Sequence, residues 1–448
     1  MSIEPNTFSY ENHVPPASWQ AHNGGRLELS RRHRRDGEQA LAWTWENHSA
    51  LDCRAVGLDL RRHPGAGIKA WLYLEEPIDG DLVFTFGSAA QIDAGQPAYR
   101  FHFGLNFTGW RACWVALAED AAVAECGERG PVDVMRIHAP DGVARGTVFL
   151  DAVEFVSNVG LRSPDYQLPF LPSGDDPFTA NQPMLHAAEQ PRRPLPESVT
   201  DDDRNTIAAI RRRYEFWLLG TAEGRLDDLS VDAAEETRAF IEQGWDSYRE
   251  LGIQVTDDGC LLGAALGLRR GKSTFFELFN VLLPLAFDYA LTGSEEACEA
   301  ALLLFDYAAD QGWAEGSCRG NMFLNILVFA AYCHALYLMR DELARTGRLD
   351  HHMRAARWYL CFGKAFRAFD TPEQETNTDE QRSIVFTSLP VILAMPQSPQ
   401  QLQYLQSWRD WLQNALYISP KFAGMIKPDG SGWHHRGVYT RAYTGEAY

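Results

Sequence analysis

Near its end the chain crowds Trp433, His434, His435, Arg436, Tyr439, Arg441 and Tyr443 into eleven residues, directly after the turn-forming Pro428-Asp-Gly-Ser-Gly432. Imidazole and phenol are general acid–base groups, so the composition of this run suits proton transfer. On one continuous helix His435 and Tyr443 would lie about 12 Å apart along the axis and about 80° apart around it, too far to share a reacting atom. The glycine-rich entry and Gly437 predict a bent segment instead. Such a segment either brings imidazole and phenol to one cleft wall or forms a surface loop whose polar aromatics reach into water. The other familiar catalytic signatures are missing: there is no HExxH, Walker loop, GxGxxG after a strand, or GxSxG elbow. Most nucleotide enzymes and serine hydrolases are thereby excluded.

Cys53, Cys113, Cys126, Cys260, Cys298, Cys318, Cys333 and Cys361 form no CxxC pair, which predicts buried free thiols and neither a zinc site nor a disulfide framework. Lys and Arg number 41 against 60 Asp and Glu, a net charge of −19. A surface that acidic repels nucleic acid. An anionic substrate is still compatible with it where Arg and Lys gather in one cleft, because fields beyond about 8 Å are screened at physiological ionic strength. With 45% apolar and 23% charged residues the chain is neither disordered nor collagenous. Thirteen Trp supply flat faces that suit either sugar rings or a core.

The elements that must hold these residues change in kind along the chain. Up to residue 160, short runs such as Ala70-Trp-Leu-Tyr-Leu74, Leu82-Val-Phe-Thr-Phe86, Tyr99 to Phe107, Trp110 to Leu117 and Thr147 to Val156 alternate with turns such as Pro77-Ile-Asp-Gly80. This pattern predicts an all-β sandwich of jelly-roll type, folding on its own. Residues 161–199 are proline-rich and read as a linker. Residues 200–448 turn helical. Thr200-Asp-Asp-Asp203 is the expected first cap, Ile207, Ile210, Tyr214, Trp217 and Leu218 share a face, and Gly220 is the expected stop. Further helices are predicted over Asp232–Leu251, Thr274–Leu291 with a kink at Pro284, Glu295–Ala309, Met322–Ala344, His351–Phe369, Ser383–Ala394 and Gln400–Leu416, joined as antiparallel hairpins. The apolar run Met322 to Met339 contains Asn325 and His334 and reads as a buried helix, so no membrane association is expected. The first residues, Met1 to His13, show neither a basic nor an apolar stretch, so no signal peptide is expected in them.

Along nearly its whole length the sequence resembles the chondroitin sulfate ABC lyases of polysaccharide lyase family 8. The matching segments are Pro16-Ala-Ser-Trp19, Pro77-Ile-Asp-Gly80, Leu105-Asn-Phe-Thr-Gly-Trp-Arg111 with Trp114, Pro164-Asp-Tyr-Gln-Leu-Pro-Phe170, Asp310-Gln-Gly-Trp-Ala-Glu-Gly-Ser317 and Pro428 to Gly437. The resemblance implies a multidomain chain: a jelly-roll sandwich, then an incomplete (α/α) toroid, then large β-domains that, with a later catalytic Arg and Glu, would fall beyond Tyr448. On that basis the chain is expected to be the front part of a lyase, monomeric, and secreted or periplasmic.

The implied reaction is β-elimination at a uronic acid of a glycosaminoglycan of the chondroitin sulfate, dermatan sulfate or hyaluronan class. The C5 proton leaves, the C4 oxygen is expelled, and donors aimed at the carboxylate hold the developing charge. No cofactor is required for this chemistry. His435 matches the family's catalytic His. Tyr439-Thr-x-Ala-Tyr443 resembles the hyaluronan and chondroitin AC branch and places the catalytic Tyr at Tyr443, whereas ABC spacing falls at Ala442. Substrate binding is assigned by the same resemblance to Trp433, to His434, which matches a second His of some ABC enzymes, and to Asn377 in Thr376-Asn-Thr-Asp379. After Ser317 this chain has Cys318-Arg-Gly-Asn321 where ABC enzymes carry His-His-Trp-Gly-Tyr, so Arg319 and Asn321 are the substitute donors. Glu11 and Asp151 resemble positions that hold a structural Ca²⁺ in jelly-roll carbohydrate modules, and the alternative is two surface carboxylates. Arg31, Arg32, Arg34 and Arg35 form a basic run that either touches a sulfated chain or is a solvated turn. The rival reading is a noncatalytic carbohydrate-binding protein built from the same domains.

Overall fold

A computed structural model describes residues 6–120, 122–160, 191, 193–266, 275–315, 317, 329–359, 378–415, 418 and 428. The order expected from the sequence, all-β and then all-α, is the order found. In chain order the first part holds β1 (Asn6–Phe8), β2 (Trp19–His22), β3 (Arg26–Ser30), β4 (Ala40–Glu46), β5 (Ala50–Cys53), β6 (Leu58–Asp59) and β7 (Gly67–Leu74). It continues with β8 (Asp81–Gly87), the short helix α1 (Ala89–Asp93), β9 (Tyr99–Gly104), β10 (Gly109–Ala116), β11 (Ala124–Glu125), β12 (Pro131–Val132), β13 (Val134–His138) and β14 (Arg145–Val156).

Two six-stranded sheets result, one in the order β10-β7-β14-β4-β3 with β1 also on β14, the other β11-β9-β8-β13-β5-β2. Their inner faces share one core that includes Trp43, Trp45, Leu72, Phe84, Phe101, Met135 and Leu150, which makes the pair a sandwich. Phe84 and Phe101 stack at 4.7 Å across neighbouring strands.

The two outer faces differ. In β9 burial alternates, as it does where one face of a strand meets water. In β4 six of the seven residues are buried, and β7 is buried at all but Lys69, so the first sheet is covered on both sides. Its outer face carries Ala40, Ala42, Trp71, Tyr73, Trp110, Ala112 and Phe149 as a second buried cluster. The cover comes from farther along the chain, because one compact unit comprises Met1–Gly174, Leu251–Phe275 and Asp306–Phe323. That unit also contains the hairpin β15 (Gln254–Val255) and β16 (Leu261–Leu262).

The other unit comprises Asp175–Glu250, Phe276–Phe305 and Leu324–Tyr448. The helices of the second part are α2 (Asp201–Leu219), α3 (Val231–Leu251), α4 (Phe275–Thr292), α5 (Glu295–Asp310), α6 (Ala330–Leu338), α7 (Arg340–Arg345), α8 (Leu349–Tyr359), α9 (Thr378–Ala394) and α10 (Pro399–Ala415). This succession is consistent with an (α/α) toroid. Thr200 caps α2 through a reciprocal capping box with Asp203, and Gly220 ends it at φ +73°. Trp217, expected on the core face, is 55% exposed, although its ring meets Tyr214, His334 and Phe386. The helix predicted over Met322–Ala344 is divided at Met339, whose ψ of 2° separates α6 from α7. Pro284 lies inside α4 against Gly244 of α3; a Cβ on Gly244 would fall 2.3 Å from the Pro284 ring.

Candidate functional site

His435, Tyr443, His434, Trp433, Asn377, Arg319 and Asn321 lie outside the described residues. What is described is the segment leading to Arg319 and Asn321, Asp310-Gln-Gly-Trp-Ala-Glu315, and the way the outer face of the first sheet grips it. Arg35, expected in a solvated or glycan-touching run, is 1% exposed. Its guanidinium lies 3.5 Å over the Trp71 ring and donates from one nitrogen to the Gln311 carbonyl at 2.8 Å and to Gln311 Oε1 at 2.9 Å. Gln311 Oε1 also accepts from the Leu266 amide at 3.2 Å. Arg111 Nη2 reaches the Glu315 carbonyl at 3.4 Å.

Two glycines make the close approach possible. A Cβ on Gly109 would meet the Asp310 carbonyl oxygen at 2.6 Å, and one on Gly312 would meet the Trp110 carbonyl oxygen at 2.4 Å. Gly312 also has φ +100°, a region open to glycine and strained for other residues.

Beside this contact sit two buried carboxyls. Asp310 is pushed up to about 6 by burial, which outweighs hydrogen bonds from Tyr73 and Gln311 and the charge of Arg35. Asp151 is fully buried, which corrects its reading as a surface carboxylate. Its Oδ2 accepts from the amides of Arg35 at 2.7 Å and Asp36 at 2.9 Å, and its Oδ1 from that of Ala152 at 2.6 Å. Burial exceeds these donors and pushes it up to about 7. Glu11 accepts from the Glu38 amide at 3.0 Å. Both candidate cation ligands are thus turned toward main-chain donors, and no group of three His, Cys, Asp or Glu side chains able to hold a metal gathers among the described residues. Among the described residues, the side chains of Glu11 and Asp151 do not by themselves form the oxygen-rich cage that Ca²⁺ takes.

A third assembly lies on the same face. His33 stacks on Tyr73 at 3.9 Å and pairs with Glu75 at 2.9 Å, while Arg32 Nε lies 3.1 Å from Glu75, 3.1 Å from Asp258 and 3.4 Å from the Cys260 sulfur. Sequence reasoning marked Arg32 only as part of a basic run and missed the rest of the assembly, because Glu75 lies about forty positions away and Asp258 and Cys260 more than two hundred. The one available signal was the dipeptide Gln311-Gly312 inside a recognisable segment. In the helical unit, buried polar pairs among the described residues include Tyr214 with His334 and Tyr332 with His352. Burial pushes His334 down to about 4 and His352 well below the ordinary range, so both imidazoles are neutral supports.

Residues 4–170 match the protein family described as "Lyase, N terminal", and residues 194–448 match the family described as "Lyase, catalytic". A chondroitin sulfate ABC exolyase of Bacteroides thetaiotaomicron is 27% identical over 96% of this chain and 43% of its own length. The exolyase of Proteus vulgaris is 24% identical over 97% of this chain and 45% of its own, and the endolyase of the same organism 21% identical over 98% and 46%. The chain therefore spans less than half the length of the curated relatives it matches.

Proposed function

Because the chain belongs to polysaccharide lyase family 8, we propose that it acts in cleavage of an acidic glycosaminoglycan, of the chondroitin sulfate, dermatan sulfate or hyaluronan class, by β-elimination. The observation that carries this reading is the match of residues 194–448 to the catalytic family, a stretch that includes His435 and Tyr443. In the proposed reaction Tyr443, as phenolate, takes the C5 proton of the uronic acid. The electron pair forms the C4–C5 double bond, the glycosidic oxygen leaves C4, and the Tyr443 hydroxyl returns the proton to it. His435 assists by hydrogen bonding at the reacting centre, and Asn377, Arg319, Asn321, His434 and Trp433 are the proposed contacts for the carboxylate and the sugar rings. On this reading the sandwich serves the site indirectly, by fixing the segment that precedes Arg319. The protein is proposed to work as a monomer outside the cytoplasm, and any Ca²⁺ on the sandwich would rely on main-chain oxygens and water.

The test is the product. Elimination leaves a conjugated double bond, so ultraviolet absorbance of a chondroitin sulfate or hyaluronan solution rises with time if a full-length version of the protein is a lyase. A flat trace, with glycan still bound, would support the noncatalytic reading instead.

A further inference from the structure

Two arginines of the sandwich unit are buried beside the segment that runs from Asp310 to Glu315, and they are held differently. Arg35 lies on Trp71, donates twice to Gln311 and is close enough to Asp310 to act on its carboxyl. Arg111, 4% exposed, has no such surroundings. Its Nη2 reaches the Glu315 carbonyl at a long 3.4 Å, while its Nε and Nη1 are fully shielded and have no hydrogen-bond partner. The guanidinium carbon lies 5.1 Å from the centre of the Phe107 ring. No carboxylate among the described residues pairs with it.

The strand explains the setting. β10 is the edge strand of the first sheet, and its register places Arg111 opposite Leu72 of β7. Alternation puts Arg111 on the same side as Cys113 and Val115, which belong with Leu72 and Phe107 to the core between the sheets, whereas Trp110 and Ala112 face the other way. A cation is thus set on an apolar face. A guanidinium cannot shed its charge by losing a proton, and a charge taken out of water without a counter-ion is strongly unfavourable. One long bond to a neutral carbonyl and a ring at that distance offset little of this. Water would satisfy the N–H groups and leave the charge without a counter-ion, so the chemistry of the site calls for an anion.

We propose that Arg111 is the receptor for a small inorganic anion, of the size of chloride or sulfate, bound inside the sandwich unit where the Asp310–Glu315 segment meets β10. The shielding of Nε and Nη1 selects the class of ligand: a small ion enters through local opening of the edge, and a sugar chain does not. The ion would act by position. It neutralises the guanidinium whose remaining nitrogen holds the Glu315 carbonyl, just before Arg319 in the chain. The inference does not depend on the function proposed above.

The test is thermal melting of the whole 448-residue chain and of its Arg111→Met variant in sodium gluconate, sodium chloride and sodium sulfate at equal ionic strength. Gluconate is too large to enter and serves as the reference. Chloride or sulfate is expected to raise the melting temperature of the parent by about 2–4 °C more than that of Arg111→Met. The parent's gain should level off with concentration, as occupancy of one site does, whereas the general effect of sulfate on the solvent keeps growing. In gluconate Arg111→Met should melt at or above the parent, because an uncompensated charge has been removed. A gain of equal size in the two proteins, or a parent response that never levels off, overturns the proposal. So does a variant that melts below the parent by the same interval in all three salts, which would make Arg111 a prop for Glu315 and nothing more. Should Arg111→Met fail to fold, the parent's saturation curve decides by itself, and the salt that saturates names the ion.

Discussion

At the residue scale, Arg35 shows what a guanidinium gains from a prepared position: its plane lies on Trp71 while one nitrogen holds both oxygens of Gln311. Lysine cannot reproduce both contacts. Arg35→Lys is expected to cost about 2–4 kcal/mol of stability, read from urea unfolding. The two buried carboxyls give a pH dependence of definite sign. Folded-state values of about 6 for Asp310 and about 7 for Asp151 lie above the ordinary carboxyl range, so their stabilisation is complete below that range and is lost as pH rises through 6 and 7. Melting of the first unit should therefore fall between pH 5 and 8, and Asp151→Asn should flatten that slope even while it lowers stability by facing an NH₂ toward a main-chain N–H. At the reaction centre, in a full-length version of the protein, Tyr443→Phe and His435→Ala should each abolish double-bond formation while glycan affinity stays within a few-fold, because proton transfer is removed and ground-state contacts are kept. Activity that survives Tyr443→Phe and is lost in Tyr439→Phe would move the base to Tyr439.

At the scale of elements, what was readable followed how one-sided each element is. α2 could be bounded from Thr200, Asp203 and Gly220 because cap chemistry is local. β4, with the sequence Ala-Leu-Ala-Trp-Thr-Trp-Glu, passed unnoticed because burial on both faces leaves no alternation to read. The short β1, β2 and β5 depend on partners elsewhere, and the division at Met339 follows from packing that a continuous apolar run conceals. The run from Trp433 to Tyr443 stood out by its residue types, but the roles of His435 and Tyr443 within it were legible only through family resemblance. Of the clamp on Gln311 only the segment around Gln311-Gly312 was recognisable, and its pairing with Arg35 was not, since no local pattern joins position 35 to 311. The glycines permit a direct check: Gly312→Ala combines a φ of +100° with a main-chain oxygen 2.4 Å from the new Cβ and should cost more than about 3 kcal/mol. Thr200→Ala, which removes only a cap, should cost about 1 kcal/mol.

For the whole molecule, the first unit is built from three separated stretches of chain, so the sandwich expected to fold alone lacks part of its cover when residues 1–160 are taken by themselves. Trp71, Tyr73, Trp110 and Phe149 would then face water as one patch. That fragment is expected to bind a hydrophobic dye and to self-associate, whereas the full chain should show neither; a monodisperse, dye-silent fragment would mean that the cover is dispensable. The same discontinuity governs how the protein is made. A ribosome adding roughly 5–20 residues per second needs on the order of ten to thirty seconds after Gly160 to deliver Gln311 and Gly312. For that interval the aromatic face has no cover, and anything in the cell that recognises nascent apolar surface meets this protein first at Trp71 and Trp110.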